Sequence, residues 1–353
     1  QTVFIRKDWL DRLGMPIPKT IDDYLKFFEA VKREDMNGNG DPNDEYGFYV
    51  RENLDYSMLF FKEFNAYPSE FRMVNGEFIP GIIAPEMKDA LKFWKMLYDN
   101  GYINPNLFTN KGDDWVAGIK QGKGGVWTYD VTNYSQTFGK ELFVDQPTAE
   151  IAMIDVPVGP KGSGLVPIGD PVYYAWVIPT KVKNPEEIVK FLDWVWTDEA
   201  EKFFSLGIKG HNYTEEGGVV KWDINAPANK ENDAYIMYQL SINPRGDGRL
   251  YPAVIAANPN AEVMKKGLEA AARGAFKHEG LFMPTLESLK GKPELAASVR
   301  TGSLFSDLFA KVITGKEPDI DAAFDKFVAE WKRRGGDAVI KEATEWYNNK
   351  NKK

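Results

Sequence analysis

The sequence predicts an α/β fold with room for two domains, and three observations carry that prediction. Apolar runs short enough for strands alternate with helix-period segments along the whole chain. A length of 353 residues is enough for two domains, each with its own buried core. An apolar share of 43% is ordinary for a globular protein, and no run approaches the ~20 residues that span a bilayer.

Residues 2–6 read as the first strand. A short helix over 7–13 stops at Gly14, and Pro16 and Pro18 hold the exit extended. Thr20 and Asp23 cap a helix over 21–34 whose Tyr24, Phe27, Phe28 and Val31 share one face. Residues 46–50 form a strand, the phenylalanine-rich stretch 54–66 a helix, and 85–100 a helix aligning Leu91, Trp94, Leu97 and Tyr98. Residues 115–119 are helical, and Gly122 to Gly125 turn the chain into a strand over 126–130. That glycine turn is no phosphate loop, because it lacks the G-x-x-x-x-G-K-[ST] spacing.

Strands follow at 151–158 and 173–178, separated by a Pro- and Gly-rich loop at 157–168. Asn184 and Pro185 open a helix through Phe191, Trp194 and Trp196, and Thr197 starts another that ends at Gly207. Helices are also expected at 232–241 and 260–273, then at 299–314, 320–334 and 336–349. Trp94, Trp194 and Trp196 sit at helical spacing among apolar neighbours and are assigned to cores.

Net charge is −8, which argues against a nucleic-acid surface, where neutralising phosphates needs an excess of Lys and Arg. Cysteine is absent, so disulfides, thiol nucleophiles and thiolate metal sites are excluded. His211 and His278 are the two histidines, and His211 is read as a structural hydrogen-bonding residue. The 10 Trp, 16 Tyr and 22 Phe make 14% of the chain, more than cores alone ask for; Trp and Tyr with a polar tip also suit wet recognition surfaces. The chain opens on Gln1 and runs straight into an apolar strand, as though cut inside a fold.

The stretch from Asp35 to Glu45 places oxygen-bearing side chains at alternate positions with Gly38 and Gly40 between them. A hard cation needs six to eight oxygens at short range, and a tight loop supplies them this way. Its first half fits D-x-N-x-N-G, but the twelfth position is Tyr46 rather than Glu. Two readings stand: a structural calcium loop with altered closure, or a polar Asn-Gly turn.

The run from Phe191 through Trp194, Trp196 and Asp198 to Ala200, followed by Gly207, Gly210, His211, Tyr213, Val220 and Trp222, resembles the extracellular solute-binding proteins of family 1. The likeness is strongest to the lipoprotein-type members that serve oligosaccharide ABC importers. Lys7 to Leu10, Gly14 and Pro18 to Thr20 match in order, as do Leu91, Trp94, Tyr98, Gly101 and Pro105. Phe305 to Gly315, Phe324 to Trp331 and Gly335 to Tyr347 complete the resemblance, which covers nearly the whole chain.

The resemblance implies a type II periplasmic-binding-protein-like fold of two α/β lobes that close on a ligand by hinging. It places residues 1–172 and 283–353 in the second lobe, and 173–282 in the returning part of the first, whose beginning this sequence lacks. It implies a membrane-anchored lipoprotein outside the cell, monomeric, that hands its solute to the permease subunits of an ABC transporter. The family's calcium loop also falls at this place. Asp35, Asn37 and Asn39 carry over directly, Asp41 offers its backbone carbonyl, and Asn43, Asp44 and Glu45 compete to close the site.

A sugar presents flat C–H faces and a rim of hydroxyls, so aromatic rings beside Asp, Asn and Arg mark candidate contacts. Asn53, Asp55 and Tyr56 open the helix expected after a strand, at the cleft edge in similar proteins. Trp127, Tyr129, Asp130 and Asn133 end a strand, where α/β proteins bind ligands. Tyr173 approaches one lobe crossover, and Thr285 and Arg300 flank another. Arg51 and Arg300 are candidate partners for uronate groups. Two rival readings remain: a glycoside hydrolase working through paired carboxylates, and a calcium-stabilised adhesion or scaffold protein with no small ligand. With 52 acidic residues, the presence of carboxylates decides little between them.

Overall fold

The structure, a computed structural model, describes residues 1–169, 176–223, 226–231, 251–258 and 260–350. The chain divides into two compact units, Gln1–Asp170 with Lys266–Lys353, and Pro171–Lys265.

In the larger unit the elements run β1 (Thr2–Arg6), α1 (Lys7–Arg12), α2 (Ile21–Arg33), β2 (Tyr46–Phe48), β3 (Phe71–Val74), β4 (Glu77–Pro80), α3 (Met87–Asp99), α4 (Gly112–Lys120), β5 (Gly124–Tyr129) and β6 (Ile151–Ile154). Four of the strands form one sheet in the order β2-β5-β1-β6. Strand β1 lies antiparallel to both neighbours, with Phe4 opposite Trp127 and Met153, while β2 runs parallel to β5. All five residues of β1 are buried, which is why its sequence reads as an apolar run without alternation.

Helix α2 begins where Thr20 and Asp23 cap each other reciprocally, and it buries Ile21, Tyr24, Phe27, Phe28 and Val31. Helix α3 buries Met87, Ala90, Leu91, Trp94 and Leu97. Three C-terminal helices, Leu304–Ile313, Ile320–Trp331 and Asp337–Lys350, complete this core. Phe309 meets Trp94 edge-on at 5.5 Å, and Tyr347 stacks on Phe78 at 4.6 Å.

Several expectations are corrected. The stretch 54–66 is not a helix. Leu59, Phe60 and Phe61 are all fully buried, and three successive inward side chains cannot share one helical face. The backbone instead winds through short 3₁₀ turns, with Asn53, Leu54, Tyr56, Phe60 and Asn65 at positive φ. The β3–β4 hairpin fills a region left unassigned by the sequence reading. The return into the larger unit falls at Lys266 rather than 283. Ala275–Phe276 pairs with Val166–Pro167, Phe276 packs edge-on against Tyr67, and Arg273 bonds Asp155 at 2.8 Å, so residues 266–282 belong with this body.

In the smaller unit, helices Pro185–Val195 and Asp198–Leu206 pack together, the second capped by Thr197, and Tyr213–Glu216 pairs with Val219–Trp222. Trp194 is partly buried against Phe204, but Trp196 is 62% exposed, so its expected core position does not hold; it lies just past the end of its helix. The strand expected at 173–178 falls partly outside the described residues, and Trp176 to Ile178 are irregular. The helix expected at 232–241 also lies outside them. Among the described residues, no helix is long and apolar enough to cross a membrane.

Candidate functional site

Asn53, Asp55, Tyr56, Tyr67, Ser69 and Arg300 line a cleft of about 230 Å³ in the larger unit. The end of strand β5 holds one of these lining residues, Tyr56, in place. Strand β5 ends at Tyr129, and the next residue, Asp130, accepts a hydrogen bond from the Tyr56 phenol at 2.9 Å. Tyr56 and Tyr129 rings lie 4.7 Å apart, and Trp115 stacks near-parallel to Tyr56 at 6.4 Å. Burial, then the Asp130 carboxylate, pushes the Tyr56 phenol far above its ordinary range, so it stays a donor at neutral pH. The Thr128 hydroxyl donates to the Tyr56 carbonyl, fixing this ring against the strand end.

The other side is tied across a long sequence gap. Arg300 donates to the Asp55 carboxylate at 2.7 Å, and the Thr301 amide and hydroxyl donate to Asn53 Oδ1 at 3.0 and 3.1 Å. These bonds hold Asn53, Leu54 and Tyr56 in left-handed backbone conformations that Leu and Tyr rarely adopt. Strain of that kind persists where the surroundings over-determine it, often at ligand sites.

The structure thus brings together Asn53, Asp55, Tyr56, Tyr129, Asp130 and Arg300. Trp127 is corrected: it is fully buried between Phe4 at 5.8 Å and Phe138 at 5.3 Å, and offers no face to a ligand. It shares a sheet face with Tyr129 but sits two residues deeper. Asn133 is half-buried just past Asp130, at the entry to a short helix, and is not a lining residue of the cleft. Thr285 is exposed beside the turn whose Glu287 and Ser288 amides donate to Glu342, and it does not line the cleft either. Tyr173 lies outside the described residues. Trp115 and Thr301 belong to the cluster but have no sequence mark: one reads as a helical core residue, the other as a loop threonine. A larger hollow of about 540 Å³ in the smaller unit is lined by His211, Tyr213, Lys221 and Trp222. Volume alone does not rank it above the first cleft, where aromatic faces and matched charges converge.

The loop from Asp35 to Glu45 is organised around its own oxygens. Asp35 accepts from the amides of Gly38, Asn39 and Gly40, and these contacts, that of Gly40 first, hold its carboxyl below the ordinary carboxylate range. Gly38 and Gly40 have φ of +77° and +90°, which permits the tight path. Asp44 accepts from the side-chain amides of Asn37 and Asn39, and Asn39 Oδ1 and Asp41 Oδ1 accept from the amides of Asp41 and Asn43. Glu45 is buried. One of its oxygens takes the Asn37 amide, the other has no partner, and desolvation, reinforced by Asp44 and Asp35, raises its carboxyl to about 7. Among the described residues no three Asp, Glu, His or Cys side chains converge into a finished metal cage. The residues nonetheless fit a hard cation: a buried carboxylate oxygen lacks a partner, and Asp44 meets only neutral amides.

Comparison with known proteins identifies the family. The chain is 26% identical over 360 residues to Lipoprotein LipO of Bacillus subtilis, covering 98% of this chain and 68% of that one. It is 26% identical over 359 residues to the polygalacturonan/rhamnogalacturonan-binding protein YtcQ of the same organism, covering 98% and 67%. The solved structure of the Streptococcus pneumoniae ABC-transporter substrate-binding protein FusA with kestose shares the fold at a TM-score of 0.66 and 19% identity, over 99% of this chain and 72% of that one. An EF-hand mutant of FusA aligns at a TM-score of 0.64. Residues 1–202 match the family model for bacterial extracellular solute-binding proteins, and the chain belongs to that family.

Proposed function

We propose that this protein is the capture component of an ABC importer for an oligosaccharide. The observation that carries the reading is the cleft lined by Tyr56 and Tyr67 with the Asp55–Arg300 pair, in which Tyr129 and Asp130 hold the Tyr56 ring. Aromatic faces suit the C–H faces of a sugar ring, and the flanking carboxylates, amide and guanidinium suit its hydroxyls. The names of LipO, YtcQ and FusA, a lipoprotein, a polysaccharide-binding protein and a transporter's substrate-binding protein, support a sugar ligand and an anchor at the cell surface. Contacts made from both lobes only in the closed form would bias the hinge toward closure, and the closed form is what a permease recognises. The protein acts as a monomer and without nucleic acid in this reading.

Family membership sets the hydrolase alternative aside, since an importer's receptor binds and releases its solute unchanged. Calcium would be held by Asp35, Asn37, Asn39 and the Asp41 carbonyl, with Asn43, Asp44 and Glu45 offering closure. It would supply rigidity to the loop, with no part in chemistry. Calorimetric titration of the intact protein with a glycan panel tests the function. One oligosaccharide class should give saturable heat with one site; no heat from any sugar would overturn the reading.

A further inference from the structure

We infer that Asn75 is a self-modification site, where the Gly76 amide closes on the side chain and converts the asparagine to aspartate and isoaspartate. The chain holds four Asn-Gly pairs, at 37–38, 39–40, 75–76 and 100–101. Glycine has no Cβ to obstruct the approach of its amide nitrogen to the preceding side chain, so this dipeptide is prone to cyclise. Three of the four pairs are locked at both reacting groups. The Gly38 and Gly40 amides donate to Asp35 at 2.7 and 2.8 Å, while the Asn37 and Asn39 side-chain amides donate to Asp44 at 3.1 and 3.0 Å. The Gly101 amide donates to the Tyr98 carbonyl at 2.9 Å, and the Asn100 side-chain amide to the Met96 carbonyl at 2.8 Å.

Asn75 is the exception. It forms with Gly76 the exposed two-residue turn between β3 and β4. Among the described residues neither the Gly76 amide nor the Asn75 side chain has a hydrogen-bond partner. The attack requires Asn75 to leave its left-handed conformation, at φ of +51°, and an exposed hairpin tip opens locally at small cost. The 35–45 loop must first break charge-assisted bonds to Asp35 and Asp44. In the step itself the Gly76 nitrogen bonds to Asn75 Cγ, the Cγ–Nδ2 bond breaks, and the amide proton leaves with that nitrogen as ammonia. Water then opens the cyclic imide. Breaking the new C–N bond gives aspartate, and breaking the original backbone C–N bond gives isoaspartate, whose main chain runs through Cβ. The extra main-chain atom does not fit a turn whose register pairs Val74 with Glu77.

The test incubates the intact native protein for several weeks in mildly alkaline buffer and maps its peptides by mass spectrometry, with electron-transfer fragmentation to separate the two acids. Asn75 should convert at least about tenfold faster than Asn37, Asn39 or Asn100, since each of those must first give up its hydrogen bonds. In the urea-unfolded chain the four pairs should react at similar rates, because the fold no longer distinguishes them. Asp35→Ala should speed conversion at Asn37 and Asn39 and leave Asn75 and Asn100 unchanged. Native conversion at Asn75 no faster than at the other three sites would overturn the inference. So would an Asn75 that stays intact in the native protein while the unfolded chain reacts. Acceleration at all four sites in Asp35→Ala, or at none, would overturn the shielding assigned to Asp35.

Discussion

Tyr56 and Asp130, 74 residues apart in sequence, are joined by a 2.9 Å hydrogen bond from phenol to carboxylate. That bond fixes the ring beside Tyr129 at the end of β5, and Tyr56 in turn lines the cleft. Tyr56 is thus both a wall of the cleft and the partner that keeps Asp130 in register.

Two substitutions separate those roles. Tyr56→Phe keeps the ring and removes the donor, and should cost about 1 kcal/mol of stability with little loss of sugar affinity. Tyr56→Ala also removes the stacking surface and should weaken sugar binding roughly tenfold, about 1.4 kcal/mol. Calorimetry on both variants, with thermal melts alongside, reads the two effects. Unchanged affinity in Tyr56→Ala would take the aromatic wall out of the binding site.

The second prediction concerns the 35–45 loop. Its closure relies on Asn37 and Asn39 amides donating to Asp44, and on a buried Glu45 oxygen with no partner. A bound cation replaces those weak matches with direct coordination. Adding calcium at about a hundredfold excess over Kd should therefore stabilise the intact protein by ~2.7 kcal/mol. Chelator should lower Tm, calcium should restore it, and magnesium, which demands tight octahedral geometry, should restore it poorly. Asp35→Ala should make Tm insensitive to all three. Identical melting curves with and without calcium in the native protein would favour the plain Asn-Gly turn.

How much of this was legible in the sequence depends on whether local chemistry or distant partners decide a position. The start of α2 was readable because Thr20 and Asp23 cap each other within one turn. The β3–β4 hairpin was equally readable: Asn75 and Gly76, at φ of +51° and +86°, sit between alternating apolar residues, which is the strongest short-range hairpin signal. The phenylalanine-rich helix expected over 54–66, just before it, is absent. That helix failed for a non-local reason, since Phe60 packs against Tyr24, Phe28, Phe48 and Phe93, which come from three separate elements. The same holds at the cleft. Asn53, Asp55 and Tyr56 stood out by residue type, but Thr301 and Trp115 joined them only through tertiary packing. Trp127 shows the converse, since its alternation with Tyr129 was visible while the depth of each ring was not.

A third prediction follows from that depth. Trp127→Ala should cost ~3–5 kcal/mol of stability, because it empties a space closed by Phe4 and Phe138. Trp127→Phe should cost much less, since the indole Nε1 has no hydrogen-bond partner to lose and only ring volume changes. Sugar affinity of the folded Phe variant should match the native protein. Denaturant unfolding beside calorimetry checks both; a selective loss of affinity at full stability would return Trp127 to the ligand site.

The last prediction uses a carboxyl that the cleft does not involve. Glu63 is fully buried, and neither of its oxygens has a hydrogen-bond partner among the described residues. The glycine-rich loop closes over it: Lys161 donates its amide to the Glu63 carbonyl at 3.0 Å, and a Cβ at Gly159 would stand 2.4 Å from Glu63 Cβ. Desolvation outweighs the pull of the nearby amides of Glu63, Phe60 and Gly164 and of Lys62, so the carboxyl rises from its ordinary 4.5 to about 8. With the folded value above the unfolded one, the folded state holds its proton while the unfolded chain releases it. The contribution to stability is then complete below pH 4.5 and is lost as pH climbs toward 8. Across that window native stability should fall by as much as about 1.4 kcal/mol per pH unit from this group. Glu63→Gln, neutral at every pH and of similar shape, should flatten the fall and leave the variant the more stable of the two at pH 8. Urea unfolding of both proteins from pH 5 to 8 measures the difference, and parallel curves would show that Glu63 reaches solvent or a charged partner in the folded state.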